Sequence, residues 1–392
     1  MSRTTRLRST VRTNGTTRTK GTTRTKGAFL VLSVLAASAG LAAAAAPAQA
    51  ATVTVSTAAD LITAVRNAAP GTVIQIRGGT YYPTSTLQST ANGTASAPVQ
   101  LRPYGTETVR IDGSRLPAGS WIFKLTADYW TVSDLTFQNS PDSAVVCTSC
   151  TGTQWNRIRT INGGDSGFTL TGDGTNGNTV RNLDSYGHYD AATHGENADG
   201  IAVKFGSGTG NLITGARLFD NSDDGLDLWS WSSPLTIEHS WAYGNGKNRW
   251  SDSAFAGDGN GYKLGGDGEV VAHVVNNSAA WGNAGNGFTE NSNKGAIVVN
   301  RTTAYANGNK GYYFATGAAR LGKNLAVSNG GGSVAAGASV VSQGNNWDAG
   351  IATPAFLSTD ATSAYGARKA DGSLPATTFL TTGSTTIGST MN

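Results

Sequence analysis

Residues 225–228 read Gly-Leu-Asp-Leu, and the same shape, a glycine followed by an apolar, a variable and an apolar residue, recurs along the chain. It appears as GFTL at 167, GIAV at 200, GLDL at 225, GYKL at 261 and GFTE at 287, with GYYF at 311 as a variant. The intervals are 33, 25, 36, 26 and 24 residues. Each unit is followed by a second β-like run and an asparagine-rich corner, as in NLITGARLFDNS, LTIEHSWAYGNG and AIVVNRTTAYANGN. A repeat of this length, carrying several strands, suits one coil of a parallel β-helix, in which each coil buries its inward residues on its neighbours. Propeller blades are longer, at about 40 residues, and a Greek-key sandwich would show hairpin turns and no fixed period. The expected fold class is all-β, a parallel β-helix solenoid.

Upstream of the repeats, residues 56–70 read STAADLITAVRNAAP and place Leu61, Ile62, Val65, Ala68 and Ala69 on one face at helical spacing. Ser56 or Thr57 can cap this segment and Pro70-Gly71 can stop it. The spacing predicts one short helix that caps the first coil, so that the stack does not begin on an open edge. Short β-type runs such as TVIQIRG and PVQLRPYG follow it.

Residues 1–50 hold eight basic residues and no acid, and an apolar run over 28–46 leads into Pro47-Ala48-Gln49-Ala50. Basic region, apolar stretch and small-residue site in that order describe a secretory signal peptide, with cleavage expected after Ala50. A membrane anchor is the rival reading, but the run is alanine-rich and near the short limit for spanning. Residues 51–392 are then the parallel β-helix domain of a secreted, extracellular protein. The formal charge of +4 becomes −4 after cleavage, with 21 basic against 25 acidic residues. No basic stripe survives to bind nucleic acid, and no later apolar run reaches membrane-spanning length. A monomer is expected. The two cysteines exclude a four-thiolate zinc site; Cys147 and Cys150, in CTSC, are expected to form a local disulfide in an exported chain.

Side chains alternate faces along a strand, so the repeats can be aligned and read as columns. The outward column runs Thr169, Ala202, Asp227, Lys263, Thr289, Tyr313, and the position before each glycine gives Ser166, Asp199, Asp224, Asn260, Asn286, Lys310. Neighbouring coils sit about 4.8 Å apart, which makes Asp227 and Lys263 immediate neighbours. Asp199, Asp223, Asp224 and Asp227 converge within two coils, and like charges this close call for a shared cation or for protonation. Calcium suits an oxygen-only set of irregular geometry; no Cys or His is present to favour zinc. Lys263 lies in GNGYKLGG, whose glycines are expected to leave room for a bulky ligand. Beside a divalent cation its pKa falls from about 10.4, which makes it a base. Lys204, Lys247 and Arg249 are candidates for binding substrate carboxylates. His188 and His194 precede the NADG stretch on a loop and carry no assigned role.

NADG at 197–200, DDGLD at 223–227 and GYKLGG at 261–266 resemble the active-site segments of polysaccharide lyase family nine. Its members are secreted, calcium-dependent pectate lyases with a right-handed parallel β-helix. The similarity extends from about residue 52 to the closing ARKADGSLP at 367–375. It implies calcium ligation by Asp199, Asp223, Asp224 and Asp227, with Lys263 as catalytic base. The expected reaction is β-elimination in 4-linked galacturonan, an acidic polysaccharide, with Lys263 removing the C5 proton. Two rivals share the fold. A polygalacturonase-like hydrolase could use DDGLD as its carboxylate pair, but Gly-His-Gly and Arg-Ile-Lys segments are absent. A non-catalytic calcium-binding polysaccharide-binding solenoid could use Trp229, Trp231, Trp241 and Trp250 as sugar platforms.

Overall fold

The computed structural model describes residues 51–383 and 386–392; the expected signal segment lies outside them. Among the described residues the strands form three sheets of 12, 10 and 10 strands. Each strand pairs in parallel with its counterpart one coil away. The coil at residues 201–219 shows the pattern: Ile201–Ser207 lies in a front sheet, Asn211–Thr214 in a side sheet and Arg217–Phe219 in a back sheet. The chain then returns to the front at Leu226–Asp227. This is the expected parallel β-helix.

The glycine repeats carry the front sheet. Phe168, Ile201, Leu226, Tyr262, Phe288 and Tyr312 pair in sequence and are fully buried. Rings of Tyr262 and Phe288 stack at 4.8 Å, and those of Phe288 and Tyr312 at 5.1 Å. Each such side chain contributes roughly 1.5–3 kcal/mol by leaving water. The repeated glycine is a packing requirement, because a Cβ on Gly225 would stand 2.6 Å from the Gly261 carbonyl oxygen. At the corner before it, Asn221, Asn245, Asn283, Asn307 and Asn329 form a ladder. Asn245 Oδ1 accepts from the Asn221 N–H at 3.1 Å, and Asn245 Nδ2 donates to Leu218 O and Asn283 Oδ1 at 3.0 and 2.9 Å. Both polar atoms of the buried Asn245 amide are matched this way.

The predicted helix spans Ala58–Arg66, with Thr57 Oγ1 accepting from the Asp60 N–H at 3.1 Å. It packs on Thr52–Val55 and Leu87–Ser89 through buried Leu61 and Val65. It ends at Asn67, ahead of Pro70-Gly71, and Ala69 is exposed instead of sharing the buried face. Cys147 and Cys150 are joined as a disulfide at the end of Val145–Thr148. After the last coil the chain runs back along the back sheet, where Phe379, Leu380 and Met391 cluster with Trp241, Tyr243 and Trp281. Arg368 in this segment pairs with Asp184 at 2.7 Å, beside Arg217, also at 2.7 Å. No helix among the described residues is long and apolar enough to cross a membrane.

Candidate active site

The front sheet sets the outward column as the spacing required. Thr169, Ala202, Asp227, Lys263, Thr289 and Tyr313 pair successively, coil by coil. The second column is also a hydrogen-bond ladder, with two acids in it, but it runs in the opposite direction, each N–H donating to the Oδ1 one coil back. Asp199 Oδ1 accepts from the Asp224 N–H at 3.2 Å. Asp224 Oδ1 accepts from the Asn260 N–H at 2.6 Å and from its Nδ2 at 3.0 Å. Asn260 Oδ1 accepts from the Asn286 N–H at 3.0 Å. Asp227 Oδ1 accepts from the Trp229 N–H at 3.0 Å. Main-chain donors thus fix one oxygen of each acid and leave the other turned toward the site.

Those second oxygens meet two ammonium groups. Lys204 Nζ lies 2.8 Å from both Asp199 Oδ2 and Asp227 Oδ2. Lys263 Nζ lies 3.0 Å from Asp258 Oδ2, 3.3 Å from Asp224 Oδ2 and 3.4 Å from Asp227 Oδ2. Asp223 accepts from the Asn197 N–H at 3.0 Å and from the Asp258 N–H at 2.7 Å. Burial pushes Asp199 and Asp224 well above the usual carboxylate range; neighbouring acids add to this, while Lys204 and Lys263 oppose it. Burial also works to lower Lys204 and Lys263, but the surrounding carboxylates outweigh it and raise both. Five acidic groups face two ammonium groups, and the Lys263 proton depends on the acids around it.

The donor set fits a hard divalent cation. Asp199, Asp224 and Asp227 present oxygens within 4.8 Å of one another, and so do Asp223, Asp224 and Asp258. Asp224 belongs to both groups, and its Oδ2 is buried without a hydrogen-bond partner. An oxygen-only set of irregular shape favours calcium over zinc. A groove of about 380 Å³ opens above it, lined among others by Asp165, Lys204, Phe205, Trp229, Asp258 and Lys263. Asp199 and Asp224 form the layer beneath its floor.

Asp199, Asp223, Asp224, Asp227 and Lys263 are therefore brought together. Lys204 joins them as a nearly buried counter-ion that also lines the groove. Lys247 and Arg249 are not in this groove: they line a depression on the back sheet with Tyr186, Phe219 and Tyr243, and Arg249 pairs with Asp220. The glycines around Lys263 leave no open room, since a Cβ on Gly266 would stand 2.5 Å from the Trp229 ring and one on Gly265 2.4 Å from Asn293. Trp231 and Trp241 are fully buried and cannot serve as sugar platforms. His188 is buried too; its Nδ1 accepts from the Gly163 N–H at 2.8 Å and its Nε2 lies 3.0 Å from Ser185 Oγ. Ser185 Oγ in turn donates to Gly200 O at 2.7 Å. His194 is exposed and faces Asp252 at 3.0 Å. Asp258 was not anticipated. Its signal is the 36-residue interval between Gly225 and Gly261, longer than a plain coil, which carries it to the groove.

Known proteins share this arrangement of chain. The family described as Pel9A-like, right handed beta helix region, matches residues 41–329. Pectate lyase PEL9 of Emericella nidulans is 41% identical over 352 residues, covering 81% of this chain and 85% of that protein. Pectate lyase L of Dickeya dadantii is 34% identical over 329 residues, covering 79% and 76% respectively. The crystal structure of pectate lyase Pel9A superposes with a TM-score of 0.72 at 32% identity, covering 81% of this chain and 82% of that one. The coil is right-handed, as the parallel crossover rule requires.

Proposed function

The chain belongs to the Pel9A-like right-handed β-helix family, and from that membership we propose that it is a secreted pectate lyase acting by β-elimination on 4-linked galacturonan. The single observation that carries the mechanism is Lys263 Nζ, set on the groove floor within 3.4 Å of Asp224, Asp227 and Asp258. Extracellular working conditions are supported by the Cys147–Cys150 disulfide, a bond of oxidising compartments.

Elimination removes the hydrogen on C5, which lies alpha to the uronate carboxylate. Lys263, in its neutral form, accepts that proton; the C–H electron pair becomes the C4–C5 double bond, and the C4–O bond breaks toward the leaving oxygen. A solvent proton completes the new hydroxyl. Asp199, Asp223, Asp224 and Asp227, joined by Asp258, are the residues that would hold calcium. Calcium bound there would place positive charge beside the uronate carboxylate and lower the cost of the negative charge that develops at C5. Burial favours the neutral amine and the acids favour the ammonium, so the occupants of Asp224 and Asp227 decide the charge of Lys263.

The test is purified protein on polygalacturonate at alkaline pH, followed by the ultraviolet absorbance of the conjugated product, with and without a chelator. Lys263→Ala should lose about 10²–10⁴-fold in rate, and chelation should abolish the signal reversibly. New reducing ends without that absorbance would mean hydrolysis and overturn the reading.

A further inference from the structure

Alternation along Ile201–Ser207 turns Ala202 and Lys204 outward, and the next residue, Phe205, should follow Ile201 and Val203 into the core. It does not. The pairing with the preceding coil slips here: Thr171 faces Lys204, Gly172 faces Gly206, and Phe205 is left over as a bulge. Gly206 permits the slip, because a Cβ on it would stand 2.5 Å from the Gly172 main chain. Phe205 takes φ +54, a left-handed conformation unfavourable to a bulky residue, and its side chain is 66% exposed.

Other large apolar residues in that conformation are packed by the chain itself. Leu380 and Met391 are buried, and the Tyr129 ring covers Gly152. Among the described residues Phe205 alone combines a large apolar side chain, a left-handed backbone and high exposure. Bulges that re-aim a side chain recur next to active sites, and an observed backbone outlier there points to function. Phe205 lines the groove that holds Lys204, Asp227, Trp229 and Lys263. An apolar ring displayed among charged groups fits a ligand with both characters: a hexuronate ring, whose C–H face is apolar and whose edge is anionic.

We propose that Phe205 is a stacking platform for a sugar ring of the substrate chain, adjacent to the ring that loses its C5 proton. This rests on the lyase reading above. Phe205 binds and aligns the chain and takes no part in proton transfer, so its loss acts on KM and leaves kcat alone.

The experiment compares wild type with Phe205→Ala, Phe205→Gly and Phe205→Trp on a defined oligogalacturonate. Phe205→Ala and Phe205→Gly should raise KM roughly tenfold, keep kcat within about twofold and leave the unfolding temperature at or above that of wild type. Phe205→Trp should restore KM. Unchanged KM in the first two variants, or a fall confined to kcat, overturns the platform. A second arm measures calorimetric binding of the same oligogalacturonate to Lys263→Ala, with and without Phe205→Ala, in calcium buffer. Affinity should drop roughly tenfold with the ring removed, and equal affinities overturn the proposal. If wild type forms no unsaturated product, the lyase reading fails by itself, while the binding arm still decides the platform.

Discussion

Two corners of the coil carry hydrogen-bond ladders that run in opposite directions and differ in what fills the seats. At one, Asn221, Asn245, Asn283, Asn307 and Asn329 pass hydrogen bonds from coil to coil, each Oδ1 accepting and each inner Nδ2 donating. At the other, the seats are held by Asp199, Asp224, Asn260 and Asn286, and the Oδ1 bonds persist. Where an amide would sit, Asp224 presents a buried Oδ2 that makes no hydrogen bond and lies 3.3 Å from Lys263 Nζ. The lesson is that the site is a standard structural device with its donor exchanged for an anion. Stability at the first corner comes from neutral amides that satisfy one another; reactivity at the second comes from acids set against Lys204 and Lys263.

The largest effect expected from breaking this comparison is on turnover. Asp224→Asn restores a donor, so activity on polygalacturonate should fall on the order of 100-fold or more, whereas the denaturant midpoint of the calcium-free protein should hold or rise. A collapse of that midpoint would show that the pairing of Asp224 with Lys263 carries stability. The reverse exchange should cost stability. Asn245→Asp points a carboxylate oxygen at Leu218 O and Asn283 Oδ1, and urea unfolding should show a loss of about 2 kcal/mol or more. The third effect concerns protons and shows only in acid. His188 steadies Gly200, next to Asp199, through Ser185, and burial lowers its pKa to about 3. The unfolded chain takes up that proton below about 6.5, so this contribution is whole above 6.5 and lost as pH falls toward 3. Stability measured across that window should slope less steeply in His188→Gln.

The parts of the site that lie on regular strands were legible. Asp227 and Lys263 follow from a glycine marker and a period of two, and Asp199 and Asp224 from the seat just before that glycine. Asp258 was not legible because it sits in the extra length between Gly225 and Gly261, where no period fixes which way a residue faces. Lys204 could be given its outward direction but not its partners, since a four-carbon stem reaches acids on two coils. Lys247 and Arg249 misled because nearness in sequence to GYKL does not say which of three faces a loop leaves by; theirs follows the back-sheet strand Trp241–Tyr243. The glycines about Lys263 looked like open space, and the Trp229 ring and Asn293 occupy it. Phe205 lay hidden because a bulge breaks the alternation on which the columns depend.

The returning C-terminal segment carries a mechanical consequence. In a solenoid each coil touches only its neighbours, so an end can fray while the middle stands. Here Arg368 fastens to Asp184, and Ser389 bonds to Thr303 and Asn277, so one strap spans back-sheet strands from Asp184–Tyr186 to Thr303–Tyr305. Loosening any coil beneath it loosens the strap as a whole, which ties the catalytic middle and the later coils into a single cooperative unit that should melt in one transition.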